Sequence, residues 1–220
     1  MEHLQKYLCR KTQNFVPKRL SMIPKLTLIL VLSVFGLMFS SNNTEAYQVE
    51  DFERKIKLKI LPEYCAYMQL GPQAGSPNGD RYKEYLGEGW HHTHHYCWGL
   101  DKMLLAILNV SVENQYRSYL SSAIEEFNYV LKRVSNHFIL KPEILSRKGM
   151  ALSLLGRDAE ATHAFLSAIK LKPDYVFPYI QLSKLYSKNG EIEEARKVLD
   201  RALEHSPNSP LLKQALAKLQ

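Results

Sequence analysis

The sequence predicts an all-α protein, a solenoid of helix–turn–helix units behind an N-terminal apolar segment. Three observations lead there. The landmarks of the C-terminal half return at one fixed interval, the interval from Pro173 to Pro207. Apolar side chains recur at helical spacing upstream of that repeat. Residues 1–46 carry the charge and hydropathy pattern of a targeting segment rather than of a folded unit. The 220 residues, 45% hydrophobic and 23% charged, suffice for one domain of ordinary size with a buried core. The net charge of +7 does not imply a nucleic-acid partner. Residues 1–25 hold six basic side chains against Glu2 alone, whereas residues 47–220 hold 23 basic against 20 acidic. A mixed-sign surface so close to neutral is no footprint for a phosphate backbone.

The first element is the uncharged run from Leu26 to Phe39, LTLILVLSVFGLMF, with Lys25 before it and SSNNTEA after it. A membrane-spanning helix needs about 20 apolar residues, and the core of a signal peptide roughly 7–15. Two readings stand. One is a secretory signal cleaved after Ala46, with Thr44 and Ala46 as the small residues and Met22 as a natural start; the other is an uncleaved signal anchor. The basic flank puts the N-terminus inside in both, so residues 47–220 are expected outside the cytoplasm, either periplasmic or anchored at the inner membrane.

Residues 47–98 form a helical and loop region. A charged stretch at residues 51–61, with Phe52, Ile56, Leu58 and Ile60 at mixed spacing, is expected to be helical, and Pro62 suits the first turn of a short helix, PEYCAYMQL. The loop GPQAGSPNG follows at residues 71–79. Then comes GWHHTHHYCW at residues 89–98, with four of the chain's eight histidines inside five positions. Residues 99–141 are expected to be a degenerate hairpin. A helix over residues 100–110 pairs with one that carries Ala123, Phe127, Val130, Leu131 and Val134 on one face.

Two units follow in one register, residues 142–175 and 176–209. Leu145 aligns with Tyr179, Leu152 with Tyr186, Gly156 with Gly190, Ala161 with Ala195, Phe165 with Leu199, Ala168 with Ala202 and Pro173 with Pro207. Large apolar residues recur where helices meet, alanine where they approach closely, glycine where the first helix of each unit closes, and proline where the second ends. Residues 210–220 read as a capping helix. This pattern resembles the tetratricopeptide repeat, a helix–turn–helix unit of about 34 residues. Gly149 fits the family's small position in the first helix. Lys148 stands where the family usually has leucine, and Ser183 where it has glycine. LPEYC at residues 61–65 and HHYCWGL at residues 94–100 also resemble the N-terminal part of bacterial cell-envelope proteins that carry these repeats.

The resemblance implies binding rather than catalysis, and the sequence offers no phosphate loop, nucleophile elbow or isolated triad. The function expected is a non-enzymatic scaffold or adaptor for protein partners in a cell-envelope assembly. Its partner groove is lined by the first helix of each unit. In the first unit the lining is Glu143, Ser146, Met150, Ser153 and Leu154. In the second it is Phe177, Ile180, Lys184, Ser187 and Lys188. Lys184 and Lys188 either meet an acidic partner segment or form an ordinary solvated helix face.

Cys9 precedes the apolar run, which leaves Cys65 and Cys97 as an even pair in an oxidising compartment. A disulfide between them would be worth roughly 3–4 kcal/mol in the loop-entropy model; the alternative is two buried free thiols. The histidines admit two readings. His91 and His95 lie four apart, and His94 and Cys97 three apart, spacings at which helical side chains chelate a transition metal. On that alternative the chain is a metal- or haem-binding protein, with His91, His94 and His95 as ligands and the repeats as docking module. Against it, there is no HExxH, CxxCH or CxxC, and an aromatic–histidine patch against Trp90, Tyr96 and Trp98 requires no cofactor.

Overall fold

The computed structural model describes residues 60–68 and 71–219. Cys9, the apolar run at 26–39 and most of the helix expected over 51–61 lie outside the described residues. Among those described, every regular element is helical: α1 Asp80–Leu86, α2 Trp90–Leu108, α3 Glu113–Leu131, α4 Lys141–Leu154, α5 Asp158–Leu171, α6 Val176–Lys188, α7 Ile192–His205 and α8 Pro210–Ala217. No helix among them is long and apolar enough to cross a membrane.

Tyr64–Gln220 form one compact unit. Within it α2 packs on α3, α4 on α5 and α6 on α7 as successive hairpins, α3 contacts α4, and α5 contacts α6. The first helices α2, α4 and α6 also touch in order, forming an inner layer. The repeat produces this arrangement residue by residue. Ala161, Phe165 and Ala168 of α5 and Ala195, Leu199 and Ala202 of α7 are all shut away from solvent. Gly156 and Gly190 take left-handed φ values of 77° and 83°, which close α4 and α6. Arg157 N–H then donates to Leu152 O at 2.9 Å, and Glu191 N–H to Tyr186 O at 2.8 Å. At the far end Ser209 caps α8 through Leu212 N–H, and Leu212 is fully buried against the stack.

The upstream hairpin is longer than the sequence pattern marks. Of the short helix expected in PEYCAYMQL, the described residues 62–68 form a 3-10 turn, Glu63–Tyr67. The helix expected from Leu100 begins ten residues earlier at Trp90, so the boundary drawn between residues 98 and 99 falls inside α2. Gly87, at φ 54°, ends α1. Beyond it the polar histidines join a helix because Thr93, Tyr96, Cys97, Leu100, Met103 and Leu104 lie on one buried stripe. Gly99 is the closest approach in this hairpin: a Cβ there would stand 2.3 Å from Phe127 Cε1.

Candidate functional site

The inner layer carries the expected groove residues, and they divide into three groups. Met150, Ser153, Ile180 and Ser187 are partly open, Leu154 is 40% exposed, and Lys184 is exposed. A second group is engaged within the chain. Lys188 Nζ stands 3.5 Å from the Asp158 carboxylate, and the buried Ser146 hydroxyl donates to Pro142 O at 2.8 Å. The third group is covered. Phe177 is buried beneath the Arg147 guanidinium, 4.8 Å from its ring centroid, and Glu143 lies 3.6 Å from Arg147 Nη2 with both side chains nearly buried.

Arg147 is the centre of a polar cluster that the sequence reading did not single out. A lone arginine in an amphipathic helix reads as surface, and the only signal available was Glu143 one turn before it. The Tyr64, Tyr96 and Tyr175 hydroxyls act on the same two charges. Burial, reinforced by Glu143, holds the Tyr64 and Tyr96 phenols well above their ordinary range and pushes Tyr175 up in the same way. All three are therefore neutral donors at any ordinary pH. Burial works against the Arg147 charge, but Tyr96 and Glu143 beside it more than offset this. The Tyr96 hydroxyl stands beside the guanidinium and helps to hold its proton. Tyr64 Oη, Tyr96 Oη and Arg147 Nε are buried with no hydrogen-bond partner among the described residues.

Cys65 and Cys97 are joined by a disulfide that ties the Glu63–Tyr67 turn to α2, so Cys97 offers no thiolate. Two of the histidines turn toward α3. His95 stacks on Tyr129 at 3.6 Å, and its Nδ1 lies 2.5 Å from Glu126 Oε2. His92 meets Tyr129 edge-on, and Arg133 covers that ring at 3.5 Å. His94 and His95 both meet the Trp98 ring edge-on at 4.8 Å. His91 and His94 line a cleft of about 480 Å³ with Trp90, Tyr67, Met68 and Lys83. The His94 and His95 rings stand 4.3 Å apart, yet no group of three His, Cys, Asp or Glu among the described residues could hold a metal ion.

Residues 153–219 match the family model of the tetratricopeptide repeat. A tetratricopeptide repeat-containing protein of Methanocaldococcus jannaschii is 28% identical over 106 residues, 47% of this chain; the chain spans 19% of that relative's length. Among solved structures, the first tetratricopeptide repeat domain of Spaghetti (RPAP3), bound to the HSP90 peptide SRMEEVD, superposes with a TM-score of 0.40 at 21% identity, covering 53% of this chain and 93% of that one. The crystal structure of MamA gives 0.44 at 17% identity, covering 74% and 84%. These are similarities of helical architecture and say nothing about partners.

Proposed function

This chain carries tetratricopeptide repeats, and from that premise we propose that it is a non-enzymatic scaffold that holds a segment of a protein partner on the inner face of α4 and α6. Stacked repeats of this kind serve interaction through extended concave surfaces. The observation that carries the reading is the run Met150, Ser153, Leu154, Ile180 and Lys184, partly or fully open on neighbouring inner helices. Its chemistry fits a partner with apolar anchors and an acidic group near Lys184. Lys188 contributes less, because Asp158 already draws its charge. We place the protein outside the cytoplasm, in a cell-envelope assembly. Two features support this: the apolar run at 26–39 behind a basic flank, and a disulfide of the kind that persists in oxidising compartments.

Selection from a random peptide display library against the full chain tests the reading. Ligands should emerge that lose binding with Ile180→Arg on the inner layer and keep it with Leu166→Arg on α5, where Leu166 is already exposed. Ligands indifferent to Ile180→Arg, or lost with Leu166→Arg instead, would move the binding face elsewhere.

A further inference from the structure

The turn between α2 and α3 is unlike the turns of the repeats. Counted from the close crossing, α2 runs nine residues past Gly99 to Leu108, whereas α4 runs five past Gly149 to Leu154. On the returning helix, Phe127 lies fourteen residues after Glu113 in α3, whereas Phe165 lies seven after Asp158 in α5. At 1.5 Å per residue the first turn therefore projects about 6–10 Å beyond the turn of the next unit. Its chemistry differs as well. The turn of the first repeat holds Arg157, Asp158 and Glu160, and that of the second Glu191, Glu193 and Glu194. The projecting turn instead exposes Leu108, Val110 and Val112, at 46%, 65% and 46%. Residues 103–112 carry no charge, and Glu113, which follows, has Arg117 3.6 Å away.

Two features fit this turn to a bilayer surface. The first is what stands behind it. Tyr116 and Tyr119 lie one and two turns beyond Val112 in α3, both half-buried, and Lys102 of α2 brings Nζ 5.8 Å from the Tyr119 ring centroid. Tyrosine and lysine settle at the headgroups, where an apolar body meets a polar tip. Lys102 and Leu108 are about 9 Å apart along the helix, within the roughly 5–10 Å by which interfacial segments enter a bilayer. The second feature is the backbone. The Asn109 side-chain amide donates to Leu105 O at 2.8 Å, Val112 N–H to Asn109 O at 3.0 Å, and Tyr116 N–H to Val112 O at 2.9 Å. The turn thus meets part of its own main-chain demand, as a segment leaving water must. A protein occupant fits less well. Three side chains at one projecting point fall well short of the roughly 800 Å² per partner of a stable protein interface. A bilayer sets no such minimum where a tether raises the local concentration. Twenty residues separate the apolar run at 26–39 from Ile60, where the described chain begins, and that length spans at most about 70 Å.

We propose that residues 108–112 enter the surface of a lipid bilayer, with Lys102, Tyr116 and Tyr119 at the headgroups, and that this contact orients the repeats. The turns of the repeats, charged and set back, stay in water, so the groove on α4 and α6 remains open to a partner while the α2–α3 hairpin stands on the membrane. The contact is apolar, and it requires neither anionic lipid nor low salt. It shares with the envelope placement above the presence of a bilayer, and it is independent of what the groove holds.

The test reads depth. The full chain is reconstituted by detergent removal into phosphatidylcholine vesicles, plain or brominated in the acyl chains, where bromine quenches tryptophan on contact. Val110→Trp and Ile192→Trp each add one tryptophan at an exposed position, Ile192 lying at the corresponding turn of the second repeat. The signal of Trp90 and Trp98 in the wild type is subtracted. Val110→Trp should lose most of its added emission to the brominated lipid, and Ile192→Trp little. Raising the salt or adding phosphatidylglycerol should not change this. Val112→Asp placed in the Val110→Trp chain should reverse most of the quenching with helix content unchanged. Equal quenching at both positions, or quenching at position 110 that needs anionic lipid, overturns the proposal. Emission there that is blue-shifted yet untouched by bromine does so too, and would mean that a second copy of the chain covers the turn. A chain that does not float with the vesicles overturns it along with the anchored reading of residues 26–39, whereas an unquenched turn on a chain that floats removes the turn contact and leaves that reading standing.

Discussion

Gly149 and Phe165 face each other in the first repeat, and Ser183 and Leu199 hold the same two places of the register in the second. A Cβ on Gly149 would stand 2.7 Å from Phe165 Cε1, so the phenylalanine ring leaves no room for any side chain opposite it. The second repeat has a buried serine and a fully buried leucine at this crossing. As one partner grows the other shrinks, and the helices keep their approach. The α2–α3 hairpin uses the first solution again, with Gly99 still closer to Phe127. That hairpin differs in everything around the crossing. Its two helices are 19 residues long, whereas those of the repeats are shorter by more than a turn. A disulfide staples a turn to it, and four histidines lie near the start of its first helix. The repeats are held by periodic packing, and the upstream hairpin by packing plus particular cross-links.

Removing a cross-link should therefore have the largest effect, and a local one. Cys65→Ser with Cys97→Ser is expected to cost about 3 kcal/mol of stability by urea denaturation. In hydrogen exchange, amides of α2 should lose protection well before those of α5 and α7. Uniform loss across all helices would mean that the hairpin and the repeats unfold as one cooperative block and that the contrast is only architectural.

The paired crossings come next. Gly99→Ser should cost about 2–3 kcal/mol and Gly149→Ser about 2 kcal/mol, since overpacking a tight core contact falls in that range. The graded order follows from the 2.3 Å and 2.7 Å approaches. The decisive variant is the double exchange Gly149→Ser with Phe165→Leu, which copies the second repeat into the first. It should recover about 1 kcal/mol or more relative to Gly149→Ser, where independent effects would add a further loss. A double variant as unstable as the sum of its parts would show that Ser183 and Leu199 are tolerated separately and do not compensate each other.

These crossings also explain what the sequence could disclose. The repeats were legible because the landmarks of the unit at 142 return in the unit at 176, and the helices formed where that register puts them. The upstream hairpin was only half legible. Its longer helices set Gly99 and Phe127 farther apart along the chain than Gly149 and Phe165, so a search at constant spacing passes over the pair. The start of α2 was hidden because histidine and threonine mask the stripe through Thr93, Tyr96 and Cys97. In the candidate site, Met150, Ser153, Ile180 and Lys184 were expected on the inner helices from the resemblance, and the structure leaves them partly or fully open. Arg147 and Tyr64 were not expected, because the burial of a charged side chain and the insertion of a distant turn are tertiary facts with no periodic signature.

The smallest effect expected separates the two regions by pH. Burial lowers the affinity of His94 for a proton, with His95 beside it adding to the effect. Burial likewise lowers that of His92, with Arg133 and His91 contributing. Both folded values lie below the ordinary histidine value of 6.5. Between the folded and unfolded values the unfolded chain binds more protons than the folded one, so stability rises with pH through that window and is complete above about 6.5. As pH falls below that value the α2–α3 hairpin should weaken, by less than about 1 kcal/mol because both rings keep partial access to solvent, which screens their interactions. Glu126 moderates the loss, since its negative charge favours protonation of His94. The measurement is exchange protection of α2 and α3 at neutral pH and in mild acid, in wild type and in His92→Gln with His94→Gln. The variant should flatten the difference in the hairpin and leave α5 and α7 unchanged. A hairpin in which the pH dependence survives both substitutions would show that His92 and His94 are not its origin.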